Sequence, residues 1–304
     1  MRFVGIVAHD AGGAEILSSW VAHNPDNYLF SLQGPAMSIF KRKLGDLQIC
    51  SLDELVANSE YVITGTSSES AFELDAISCF RKQKKKSISF LDHWINYLPR
   101  FSRGLREITP DEIWAGDELA FRIASEAFPR MPINLVPNWY VHDLIAEANS
   151  QQGASGFERA GGPTKILFVG ENISGAEKSL FHDLDRHHQG NFNEIDCLQY
   201  LISNYTVLSE IPAIIRIRPH PSENVEKYMD VAKFSQDKTF DVEVSNDNLV
   251  VDLVWAEIVC GMSSMALYLA LKLNKTVVCC IPGIQNKSKL PHEGIEYLSK
   301  LILE

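Results

Sequence analysis

A histidine between two prolines, two arginines beside it and a pair of serines ahead of a helical stretch are the chain's clearest groups for handling an anion. The first set lies in Arg216-Ile217-Arg218-Pro219-His220-Pro221-Ser222-Glu223, at the end of the apolar run 211–217. The second lies in Cys260-Gly261-Met262-Ser263-Ser264-Met265-Ala266. The flanking prolines stiffen the backbone around His220 and present its imidazole in a defined direction. Beside a nucleotide phosphate, such a group donates a hydrogen bond or a proton to the leaving group. Ser263 and Ser264 precede the helical run 265–273, so they can cap it while offering hydroxyls and free N–H groups to an anion. Arg216 and Arg218 would offset the phosphate charge, with Pro221 shaping the loop. The competing readings are a turn histidine that merely ends a strand and ordinary helix capping.

Carboxylates suited to acid–base work stand in the first half. Asp10 follows the first strand in His9-Asp10-Ala11-Gly12-Gly13-Ala14-Glu15. There Gly12 and Gly13 would let an acceptor hydroxyl approach a general base. Asp92 and His93 follow the strand candidate 87–91, and Trp94 and Tyr97 offer an aromatic surface for a sugar face. Thr66 and Ser67, in the hydroxyl-rich loop 64–70, would line the same acceptor side. Gly170, Glu171 and Asn172 occupy the equivalent place in the second half and would face the donor. Helix capping or a hydrogen-bonded corner is the structural alternative at each acidic or hydroxyl position.

No metal site is expected. His187 and His188 lie in a polar stretch without ligand spacing or a partner motif, and no Asp-x-Asp stands in the required setting. Donor phosphate would then be met by side chains and helix ends. The basic run 81–86 reads as a solvated helix end, or as a patch that draws anionic lipid or an anionic glycan.

These residues need a scaffold of strand ends. The run 3–8 is a short buried strand that passes through a glycine loop into a helical pattern, and further strand candidates are 28–31, 61–64, 87–91, 112–115 and 133–136. Between 147 and 164 the composition turns to Asn, Ser, Gln and Gly, which marks a linker. The opening pattern then repeats at 165–170, followed by strands before His220, near 240–244, at 258–260 and at 276–281. Alternating strand and helix predict an α/β chain with two tandem Rossmann-like domains, 1–148 and 164–304, joined by 149–163 and enclosing a cleft. With 304 residues and 45% hydrophobic content the chain can build two cores, and a net charge of −11 argues against broad, non-specific nucleic-acid binding. The six cysteines lack CxxC spacing and read as buried thiols of a reducing cytoplasm. Neither a signal peptide nor a membrane span is apparent.

The Arg-x-Arg-Pro-His-Pro strand end paired with a Ser-Ser helix start resembles the HP and serine motifs of bacterial sialyltransferases and polysialyltransferases. Transferases that use 3-deoxy-manno-octulosonate or CDP-glycerol share related features. The resemblance is strongest over residues 165–283. It implies a metal-independent, inverting GT-B glycosyltransferase without a cofactor. The donor implied is a nucleotide sugar, a CMP-activated sialic-acid-like nonulosonate or related keto-sugar, and the acceptor is a glycan or lipid-linked saccharide of the cell surface. In this scheme Asp10, or else Asp92 with His93, takes the acceptor proton, while His220, Ser263 and Ser264 hold the departing phosphate. The sialyltransferase base sits in an acidic pair followed by glycine, a pattern from which His9-Asp10-Ala11 departs. The implied setting is cytoplasmic, with peripheral attachment at the inner face of the membrane. The same architecture serves UDP-sugar transferases and UDP-sugar 2-epimerases, which form the first alternative. A non-catalytic nucleotide- or glycan-binding subunit of a polysaccharide assembly complex is the second.

Overall fold

The computed structural model describes residues 2–67, 70–154, 162–173, 192–209, 212–220, 223–234 and 240–303. The described residues fall into two compact units that divide between Asp143 and Leu144.

In unit 1 the continuous apolar run of β1 (Phe3–Ala8) is buried on both faces, as a central parallel strand requires. It leads through two residues into α1 (Ala11–His23), which returns the chain to β2 (Tyr28–Leu32). Next come α2 (Pro35–Leu44), α3 (Leu52–Asn58), β3 (Ser59–Thr64), α4 (Phe72–Lys82) and β4 (Lys86–Phe90). A short turn of helix, α5 (Tyr97–Arg100), and a two-stranded hairpin of β5 (Ser102–Arg103) and β6 (Arg106–Glu107) precede β7 (Glu112–Ala115), α6 (Glu118–Ala127) and β8 (Ile133–Leu135). The six long strands form a parallel sheet in the order β2-β1-β3-β4-β7-β8. Chain direction across the sheet therefore reverses at β1, whose C-terminal end is a topological switch point, the usual place for a ligand in such sheets.

The helix α7 (Trp139–Ala154) contains the division between the units and continues through 149–152, where the composition predicts linker. Its first turn is pinned to α1: the Trp139 ring stacks on His23 at 4.3 Å, and Asp143 Oδ1 lies 2.7 Å from His23 Nε2. Residues 155–161 of that predicted linker lie outside the described residues.

Unit 2 repeats the design. Its strands are β9 (Thr164–Val169), β10 (Ala213–Arg218), β11 (Phe240–Val244), β12 (Ile258–Gly261), β13 (Thr276–Cys279) and β14 (Ile295–Tyr297). All pair in parallel in the order β11-β10-β9-β12-β13-β14, with the switch at β9. The helices are α8 (Glu194–Asn204), α9 (Glu226–Phe234), α10 (Leu249–Trp255), α11 (Met265–Lys272) and α12 (Leu298–Leu301). Local signals start them: Asn193 and Asp196 form a capping box on α8, and Asn248 caps α10 through Val251 N–H. No helix among the described residues is long and apolar enough to cross a membrane.

Candidate functional site

In unit 1 the C-terminal ends of β1, β3 and β4 bring Asp10, Thr66, Ser67 and Asp92 into one cluster, in which Ser67 bonds Asp10 and Thr66 bonds Asp92. Asp10 occupies the N-cap position of α1, yet its side chain makes no capping bond. Its Oδ1 instead accepts from Ser67 Oγ at 2.6 Å and lies 2.7 Å from His9 Nδ1. An ionised Asp10 selects the imidazole tautomer with the proton on Nδ1, which leaves the Nε2 lone pair as a proton acceptor. The His9 ring lies against Gly34, where φ is +51° and a Cβ would stand 2.7 Å from Nε2, so only glycine fits both the backbone and the space.

Asp92 serves differently. Its Oδ1 accepts from Thr66 Oγ1 at 2.6 Å and from Arg100 at 2.7 Å, and the Arg100 side chain is as deeply buried as Asp92. Arg100 also donates to Thr66 Oγ1 at 3.0 Å. The charge of Asp92 is thus balanced inside the protein, which suits an orienting group better than a base. Gly12 allows α1 to pass over it, because a Cβ there would overlap Asp92 Oδ2, and Gly13 faces Gly65 in the same close approach. Gly12→Ala is expected to push Asp92 from Arg100 and cost about 1–3 kcal/mol, the usual range for overpacking. An unchanged urea midpoint for this variant would remove Asp92 from the packing argument.

Trp94 is not the sugar platform expected from the sequence. It is 5% exposed, donates from Nε1 to Asp117 Oδ2 at 2.9 Å and meets the His93 ring edge-on at 5.5 Å. A large apolar ring next to the β4 end is worth more in the interior, and Asp117, which also caps α6, satisfies its one donor.

Three residues that the sequence did not single out belong to this cluster: His9, Arg100 and Glu73. His9 was signalled by its place between a buried strand and Asp10. Arg100 gave no signal, since its reach depends on Asn96, which turns the chain into α5 through a left-handed conformation. Glu73 is buried in the first turn of α4, and its Oε1 accepts the His9 N–H at 2.7 Å. Burial, with the Asp10 and then the Asp92 carboxylates adding to it, pushes the Glu73 carboxyl up to about 8.

In unit 2 His220 lies two residues beyond β10, and its backbone is fixed from within. Its N–H donates to Glu223 Oε2 at 2.6 Å, and the Glu223 N–H returns a bond to the His220 carbonyl at 2.9 Å. Tyr228 and Lys227 also donate to Glu223, at 3.0 and 2.7 Å. Gly170 packs against this knot, since a Cβ there would stand 2.6 Å from the Tyr228 hydroxyl. Pro221, like His187 and His188, lies outside the described residues.

Arg216 and Arg218 are engaged elsewhere. Arg218 donates to Asp252 Oδ2 at 2.8 Å and to the Asp247 carbonyl at 2.7 Å. Arg216 bonds Glu243 at 2.6 Å and Asp252 at 3.3 Å, with its guanidinium 3.9 Å over the Trp255 ring. Both guanidiniums neutralise a carboxylate that is fully buried, so the ion-pair network accounts for them without a phosphate.

At the end of β12, Ser264 caps α11 by accepting from Ala266 N–H at 3.2 Å. Ser263 Oγ accepts from Lys289 N–H at 2.8 Å and ties down the loop before β14. The N–H groups of Met262, Ser263 and Ser264 converge on the carboxyl of Glu171. This is the anion nest that the serine pattern predicts, with a side chain of β9's own loop as the anion. Desolvation nevertheless prevails over those N–H bonds and pushes the Glu171 carboxyl up to about 7. Asn172, next in the same loop, is half-buried.

The basic run 81–86 is largely taken up by the fold. Lys85 donates to the carbonyls of Val56 and Ser59 at 2.6 and 2.7 Å, where α3 ends, Arg81 bonds the Thr109 carbonyl, and Lys86 pairs with Glu112. Among the described residues no group of three or more His, Cys, Asp or Glu side chains is placed to hold a metal ion.

No protein-family model matches the chain, and no curated protein matches it. Solved structures do. The UDP-GlcNAc 2-epimerase of Methanocaldococcus jannaschii matches with a TM-score of 0.59 at 11% identity, over 99% of this chain and 91% of the epimerase. The complex of an M. jannaschii UDP-GlcNAc 2-epimerase with UDP-GlcNAc and UDP matches equally well. A Listeria monocytogenes protein assigned to the same activity matches with a TM-score of 0.60 at 10% identity, over 100% of this chain and 87% of its own. The chain therefore has the GT-B-like fold, two tandem Rossmann-like domains. These matches overturn the expectation of a CMP-sugar transferase of the sialyltransferase kind: structures matched along nearly the whole chain carry the name UDP-GlcNAc 2-epimerase. The HP and Ser-Ser pattern marks strand-end loops of the fold, and in this chain Glu223, Glu171 and the helix cap account for it.

Proposed function

We propose that the chain is an enzyme acting on a UDP-linked sugar, with His9 and Asp10 of unit 1 as its acid–base pair. The observation that carries this reading is the 2.7 Å approach of His9 Nδ1 to Asp10 Oδ1 at the switch point of the sheet, with Asp10 held by Ser67. A carboxylate that orients an imidazole and selects its tautomer is the arrangement a general base needs. In unit 2 the loops after β9, β10 and β12, carrying Glu171, His220 and Ser263, take the nucleotide, and no divalent ion is required. The matched structures support UDP as that nucleotide.

Removing a proton from the sugar serves epimerisation, and removing one from a hydroxyl serves transfer. In the second case a glycan or lipid-linked saccharide is the other substrate. Thermal denaturation with UDP, UDP-GlcNAc and CMP tests the reading, because a ligand that binds only the folded chain stabilises it by about 2.7 kcal/mol at a hundred times its Kd. UDP and UDP-GlcNAc are expected to raise Tm without added metal, and CMP to leave it unchanged. Deuterium incorporation from D2O into the sugar of UDP-GlcNAc, with no acceptor present, identifies the epimerase. Preference for CMP, or no response to any of the three, would rule the proposal out.

A further inference from the structure

We propose that Glu73 is the positioning residue of the His9–Asp10 pair and that the site works only while this carboxyl is uncharged. The inference rests on the reading of His9 and Asp10 as the acid–base pair. Glu73 is 3% exposed, and its Oε1 holds the His9 N–H at 2.7 Å, so it fixes the backbone from which both side chains project. Its Oε2 is buried with no hydrogen-bond partner among the described residues. An ionised carboxylate in that position would leave half of its charge unsolvated, whereas the neutral acid leaves one unpaired hydroxyl, which costs less than an unpaired charge.

The surroundings favour the acid. Among the described residues the charged groups that face Glu73 are Asp10, from the loop after β1, and Asp92, from the loop after β4. Arg100 is committed to Asp92 and Thr66, and the His9 ring is turned to Asp10. A third negative charge would crowd two carboxylates already present. Burial and these neighbours push Glu73 up to about 8, so it is an acid at neutral pH and ionises in mild alkali. Ionisation there repels the Asp10 carboxylate and so disturbs the ring orientation that Asp10 sets for His9.

The test compares the wild type with Glu73→Gln, which keeps an acceptor for the His9 N–H and removes the titration, and with Glu73→Ala, which removes both. With UDP-GlcNAc as substrate, kcat of the wild type is expected to fall several-fold between pH 7.5 and pH 9. Glu73→Gln should lose that alkaline limb, and Glu73→Ala should lower kcat at least tenfold at every pH with KM little changed. A second readout does not depend on activity. The folded chain holds a proton on Glu73 that the unfolded chain releases above about pH 4.5, so this group's contribution to stability declines as pH rises from there to about 8. Over that window the wild-type Tm should fall relative to that of Glu73→Gln. Parallel Tm curves, or an unchanged alkaline limb in Glu73→Gln, would overturn the uncharged state, and a normal kcat in folded Glu73→Ala would overturn positioning. A fully active His9→Ala would instead defeat the reading of the site, and with it the positioning role, even where the two Tm curves differ.

Discussion

Asp252→Ala is expected to destabilise unit 2 by about 3 kcal/mol, near the lower end of the range for breaking a buried ion pair. The carboxylate is fully buried and receives Arg216, Arg218 and the Ser245 hydroxyl, the last at 2.7 and 2.8 Å. Removing it leaves two guanidiniums beside each other without their shared counter-charge. Both arginines keep some access to water, at 16% and 21% side-chain exposure, which places the cost at the lower end. Urea denaturation measures it, and a loss below about 1 kcal/mol would show that Glu243 and the Asp247 carbonyl suffice to hold the arginines. The outcome also bears on function: arginines that carry the fold at this cost are not the mobile clamp of a phosphate.

His9→Ala should lower turnover of UDP-GlcNAc by about 10²- to 10⁴-fold, the range typical of a lost general base. Affinity for UDP, measured by titration calorimetry, should stay within about twofold, since the nucleotide is assigned to unit 2. Asp10→Asn is the sharper companion. An amide facing Nδ1 can donate to it and so move the ring proton to Nε2, which abolishes the base while keeping the shape of the site. Both variants should fold normally, because His9 and Asp10 lie beyond the end of β1 and outside the core cluster that it builds. Turnover of folded His9→Ala within threefold of wild type would sink the assignment and return attention to Asp92.

Much of the scaffold is written locally. Phe3–Ala8 and Ile166–Val169 are apolar without interruption because a central parallel strand is covered on both faces, and each is followed by residues suited to a loop, so the two units and their strand-end loops can be read directly. The alternation of β10 likewise puts Arg216 and Arg218 on one face, away from Ile215 and Ile217. What that face meets is Asp252, more than thirty residues further on, and no spacing rule connects them.

The sequence by itself determined which loops gather at the strand ends, and that Asp10, Thr66, Ser67, Asp92, Glu171, His220 and Ser263 stand on them. Only the tertiary structure decided what each of them does. Asp92 is neutralised by Arg100, Trp94 is turned inward to Asp117, and the side chain of Asp10 turns from the cap to His9 and Ser67. Glu171 fills the N–H nest that the two serines announced. The physical reason is common to all four: a polar side chain near the end of a buried strand must satisfy its hydrogen bonds or its charge with whatever the fold brings within about 3 Å. That partner comes from another element, at a distance along the chain that local pattern does not encode.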